Sequence, residues 1–169
     1  MTEPLARLNA LPAEAAETEL RACCGAREWA RRMAAARPFA SLDEVLEAAD
    51  RAWWALGRED WLEAFRSHPR IGEQKGGAQP EQGARWSAGE QAGVHAAEDA
   101  TRAALAEGNR EYEARFGHIY IVCATGKSAT EMLEILRARL AHDPETELRT
   151  AAAEQAKITR LRLQKLLSP

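Results

Sequence analysis

The chain has 169 residues, 46% of them hydrophobic, with 23 basic against 26 acidic side chains and a formal net charge of -3. A length of that order fits one domain, and we take residues 1–169 as a single unit able to bury most of its apolar surface. Mixed charge without a single-sign block gives no footprint for nucleic acid or an anionic membrane, and no apolar run approaches the ~20 residues that span a bilayer.

Alanine, leucine, glutamate and arginine dominate, so the chain reads as all-α: a helical bundle of about seven to nine helices with one long Gly-rich loop. The N-terminal residues lack a basic start and apolar core, and Leu167-Ser168-Pro169 is not a peroxisomal address, so a cytoplasmic protein is expected. The first helix starts at Pro12, where a missing N–H costs nothing, and runs to about Cys24 before Gly25. A second covers Arg27 to Ala36 and stops before Pro38. Ser41-Leu42-Asp43-Glu44 has capping-box spacing and opens a third, which Gly57 closes. Trp61, Leu62 and Phe65 give a short helix ending at His68. Residues 68–86 hold Gly72, Gly76, Gly77, Pro80 and Gly83 and form the one long irregular stretch. Ser87 restarts a helix that continues to Phe116, where Gly117 is a good terminator. Ile119 to Cys123 is short, apolar and β-branched, an extended segment between helices. Ser128-Ala129-Thr130-Glu131 caps another helix leading to His142, and Asp143-Pro144 opens the last, to about Leu167.

His68 stands out. Pro69 biases it out of the helical region, which displays an imidazole at a helix end, and histidine trades protons near neutral pH. A solvated loop histidine would look the same. Glu90 lies three residues after Ser87, so it reads as a reciprocal helix cap, or as part of a helix start whose free N–H groups grip an anionic or carbonyl-rich ligand. In the last helix Ile158, Leu161, Arg162 and Leu166 share an arc of about 140°. Arg162 thus sits inside an apolar stripe, either snorkelling along it or facing a pocket as a forked anion anchor. Tyr112, Phe116 and the tryptophans Trp29, Trp53, Trp54, Trp61 and Trp86 read as packing residues. Cys23, Cys24 and Cys123 have no disulfide framework, and His68, His95, His118 and His142 no metal-ligand spacing, so no metal site is expected. Gly126-Lys127-Ser128 lacks the first glycine of a phosphate loop.

Several stretches in order resemble the 2-oxo-4-hydroxy-4-carboxy-5-ureidoimidazoline (OHCU) decarboxylase family, which acts last on the route from uric acid to allantoin. They are Cys23-Cys24-Gly25 with Trp29-Ala30, Arg37-Pro38-Phe39, Ser67-His68-Pro69-Arg70-Ile71-Gly72, Ser87-Ala88-Gly89-Glu90-Gln91, Asn109 with Tyr112 and Phe116-Gly117, Cys123 to Ser128, and Glu154 to Leu163. The resemblance implies an all-helical fold, decarboxylation of the ureidoimidazoline to (S)-allantoin, and no metal or organic cofactor. It also implies His68 as the acid/base group, with Glu90 and Arg162 as the other catalytic residues. Pro69, Ser87, Ala88, Gly89, Glu90 and Gln91, with the wall Ile119, Tyr120, Ile121, Val122 and Cys123, would bind the substrate. At His118-Ile119-Tyr120 the chain departs from the Pro-Phe of many relatives, a change that a wall binding through backbone amides would survive. The partner is then a small molecule, neither nucleic acid nor membrane, and a homodimer is compatible with the family. Two other classes fit the residues: a non-catalytic helical interaction domain, and a lyase or hydrolase for another ureido or hydantoin compound.

Overall fold

The computed structural model describes residues 1–71, 81–95 and 97–169, apart from the side chains of Glu81 and His95. Ten helices and no strand lie among the described residues: α1 (Glu3–Ala10), α2 (Ala13–Leu20), α3 (Arg27–Ala36), α4 (Leu42–Trp54), α5 (Arg58–Arg66), α6 (Glu81–Glu90), α7 (Ala92–His95), α8 (Asp99–Phe116), α9 (Ala129–Arg139) and α10 (Pro144–Leu166). No helix among them is long and apolar enough to cross a membrane.

Caps explain most boundaries. Ser41 Oγ accepts the Glu44 N–H at 3.2 Å while the Glu44 carboxylate accepts the Ala40 N–H at 2.8 Å, and Ser128 with Glu131 forms the reciprocal box of α9. Asp143 accepts the Thr146 N–H at 2.9 Å ahead of Pro144. Gly117 ends α8 in the left-handed region, φ 78°, which a side chain would resist.

Several expectations are corrected. A helix, α1, precedes the one at Pro12, and that one, α2, stops at Leu20 because Arg21 to Cys23 turn. Gly57 does not close α4, which ends at Trp54; it stands just before α5, whose first helical residue is Arg58. Helix α6 begins at Glu81, so the irregular stretch is shorter than 68–86; residues 72–80 lie outside the described residues. The run from Ser87 to Phe116 is three helices rather than one, and Ser87 sits in the last turn of α6. Trp29, Trp53 and Trp61 are buried and Trp86 half-buried, but Trp54 is 44% exposed, its ring edge-on to Trp61.

Two apolar clusters form the core. One gathers α1 to α5 around α10; the other gathers α8 and α9. The extended segment runs between them, and its period of two divides it: Ile121 and Cys123 face the first cluster, Tyr120, Val122 and Ala124 the second. A buried polar group pins this segment. Arg139 donates from Nη1 to the Ile121 carbonyl at 2.6 Å and from Nε to Glu147 at 2.6 Å, while the Tyr112 hydroxyl donates to the same Glu147 carboxylate. Glu154 accepts the Cys123 N–H at 3.0 Å, and Lys127 donates to the Cys123 carbonyl at 2.7 Å. The segment is thus a rigid strip of backbone along α10.

Candidate active site

His68 is placed by close contact behind it. The chain leaves α5 through Ser67, whose Oγ donates to the Ala64 carbonyl at 2.7 Å. A Cβ on Gly25 would lie 2.5 Å from the Ser67 Cβ, so the turn between α2 and α3 presses directly on the end of α5. Pro69 then leads the chain away from the helix. The His68 ring is half-buried, and its Nε2 lies 2.6 Å from Gln155 Oε1. Burial and the neighbouring Arg162 guanidinium push its pKa down to about 3, against the pull of the Gln155 hydrogen bond, so the imidazole is neutral.

Arg162 projects from α10 and is 2% exposed. It does not snorkel. Its Nη2 donates to Glu90 Oε1 at 2.8 Å and to Ser87 Oγ at 2.9 Å, and its Nη1 to the Ala22 carbonyl at 3.0 Å. Nε reaches Glu90 Oε1 at 3.2 Å, so the guanidinium fork grips the carboxylate and each charge compensates the burial of the other. Ser87 and Glu90 therefore do not cap a helix start. They lie in the C-terminal turn of α6, where carbonyls rather than N–H groups are unsatisfied and where the dipole favours a cation. A ligand-gripping helix N-terminus at Ser87 is excluded by the same fact.

These groups meet at one small recess. Its lining comes from His68 and Pro69 after α5, from Ser87, Glu90 and Gln91 at the end of α6, from Tyr120, Ile121 and Val122 of the strip, and from Ile158 and Arg162 of α10. Of the residues expected at the site, Ala88, Gly89, Ile119 and Cys123 do not line it. Ala88 and Gly89 are exposed, Ile119 lines a separate hollow with Leu62 and Phe65, and Cys123 packs in the core. His118 is occupied elsewhere, packed against Phe65, Tyr112 and Phe116. Sequence reasoning missed Ile71 and Ala124 in the lining, and Gln155 behind His68. The last had a signal, since Gln155 lies about 60° from Ile158 on the helical wheel, inside the arc that holds Arg162.

A histidine, a buried ion pair and a fixed strip of backbone around one small recess define an all-helical small-molecule site. The chain matches the model of the OHCU decarboxylase family over residues 9–164, and it belongs to that family, whose name denotes carboxy-lyases. It is 40% identical over 92% of its length to the uric acid degradation bifunctional protein TTL of Arabidopsis thaliana, and it spans 48%, about half, of that longer protein. With the 2-oxo-4-hydroxy-4-carboxy-5-ureidoimidazoline decarboxylase of Haloferax volcanii it shares 31% identity over 79% of its own length and 77% of the relative's. Among solved structures, an OHCU decarboxylase crystallised in the presence of (S)-allantoin superposes with a TM-score of 0.78 at 35% identity, covering 90% of this chain and 99% of that one.

Proposed function

We propose that the chain decarboxylates OHCU to (S)-allantoin in uric acid degradation, with His68 as the acid/base group and Arg162 and Glu90 as the polar grip on the substrate. The observation that carries this is the neutral His68 imidazole lining one recess together with the Arg162–Glu90 pair. Loss of carbon dioxide breaks one carbon–carbon bond, and its electron pair needs a sink, which the unsaturated ring of the substrate supplies. That leaves an enol, and one proton must then reach one face of the adjacent ureido-bearing carbon while the hydroxyl on the carbon that lost the carboxylate gives up its proton and becomes a carbonyl. A neutral imidazole can take the proton of that hydroxyl and deliver it to the ureido-bearing carbon. The Arg162–Glu90 pair and the strip Tyr120 to Val122 orient the ring and ureido groups, and fixed polar groups of this kind act on charge that develops during the reaction.

Freshly generated OHCU, followed by circular dichroism and carbon dioxide release, tests the reading beside a panel of other ureido and hydantoin compounds. The expected result is (S)-allantoin formed faster than spontaneous decay and unaffected by chelators. His68→Asn should remain folded and lose about 10²–10⁴-fold in turnover. Racemic product at the spontaneous rate would refute the activity, and near-native turnover of His68→Asn would refute the role of the histidine.

A further inference from the structure

We propose that Gln155 and Thr159 form a relay that fixes the tautomer of His68, holding the ring proton on Nε2 and leaving Nδ1 as the nitrogen that exchanges a proton with substrate. The proposal rests on the acid/base reading of His68 above. It makes Gln155 and Thr159 positioning residues, one turn apart on α10, with Gln155 fully buried and Thr159 nearly so.

The direction of every hydrogen bond follows from the far end of the relay. The Cys23 carbonyl can only accept, and Thr159 Oγ1 donates to it at 3.3 Å. The Thr159 proton is thereby used, so toward Gln155 its oxygen offers only lone pairs. Gln155 must present its NH₂ group there, and Nε2 donates to Thr159 Oγ1 at 3.0 Å. That orients the amide: its carbonyl oxygen faces His68, 2.6 Å from the ring Nε2. A carbonyl cannot donate, so Nε2 carries the hydrogen. In a neutral imidazole the other nitrogen then has a free lone pair, and among the described residues Nδ1 makes no hydrogen bond. Burial keeps the alternatives costly. Flipping the Gln155 amide would oppose two acceptors at Thr159 or strip the Cys23 carbonyl of its partner. The adjacent Arg162 guanidinium also opposes a charged ring, which suits a group that must start neutral.

The test is ring-nitrogen NMR on the full chain labelled with ¹⁵N-histidine, with the His68 signals identified by their loss in His68→Asn. In the wild type a protonated Nε2 and an unprotonated Nδ1 are expected; a ring with its proton on Nδ1 would overturn the proposal without any appeal to activity. Thr159→Val keeps the shape and removes the relay's orientation, so the ring should become a mixture of tautomers. Its kcat should fall about 10- to 100-fold with little change in KM, as when the partner that holds a functional imidazole is lost. Gln155→Glu places a carboxylate on Nε2 and should raise the apparent pKa in the acid limb of kcat/KM by about one to three units. A Gln155 that serves only as packing would leave that limb unmoved, and such a result would refute the relay. The two readings fail separately. Full turnover of His68→Asn sinks the acid/base role, whereas an inactive His68→Asn with a wild-type ring protonated at Nδ1 sinks the relay alone.

Discussion

Arg162 and Glu90 hold each other so completely that neither can be removed alone without leaving a buried charge. Arg162→Leu would extend the apolar stripe of α10, yet it strands the Glu90 carboxylate, whose side chain is 8% exposed, and removes the donor from the Ala22 carbonyl. Breaking one side of a buried pair costs about 3–5 kcal/mol, far more than a leucine recovers by burial there. The variant should therefore melt well below the wild type and lose turnover; unchanged melting would mean that the pair is dispensable to the fold. His68 makes the second prediction at this scale. Its pKa is near 3 in the fold against about 6.5 in an unfolded chain, so between those values the unfolded chain binds the additional proton. The contribution of His68 is fully present above about pH 6.5 and is lost as the pH falls toward 3. Urea melts from pH 7 to pH 4 should show a loss of stability that His68→Asn reduces.

At the scale of elements, what the sequence disclosed depended on whether a signal was local. Ser41, Ser128 and Asp143 cap through their own following turns, and their helices start where the spacing places them. Ser87 and Glu90 have the same spacing, but a guanidinium 72 residues further along the chain takes both side chains, and the helix they were expected to open is the one they end. The face carrying Arg162 was legible from helical period alone, since a cation among aliphatic residues is an anomaly. Gln155 lies on the same face but is uncharged and so drew no notice, although it is the direct partner of His68. The pressure of Gly25 on Ser67 has no sequence signature at all, and it gives an element-scale prediction. Gly25→Ala should push the end of α5 outward, costing about 1–3 kcal/mol as overpacking does, and should lower kcat because His68 is the next residue. Ser67→Gly opens the same space, so the double variant should recover part of both losses. Additive losses in that cycle would show that the two sites do not press on each other.

At the scale of the molecule, the site is shared property. The turn after α5 supplies His68, α6 supplies Ser87 and Glu90, and α10 supplies Gln155, Ile158 and Arg162, while the Arg139–Glu147 pair behind the strip keeps the Ile121 carbonyl in place. The all-helical class was evident from composition and caps, but the way distant helices converge depends on buried polar contacts whose partners are far apart in sequence, such as Trp53 donating to the Ala152 carbonyl at 2.9 Å. The alternation of Tyr120 to Ala124 between two apolar clusters carries a further meaning. Each side of the strip is a wall of a different core, so neither half can loosen without exposing residues that belong to the other. The two clusters are thereby bound into one cooperative unit, and its seam lines the recess. A ligand seated in that recess would be felt by both halves at once, its free energy of binding spread through the whole fold rather than spent on a local loop.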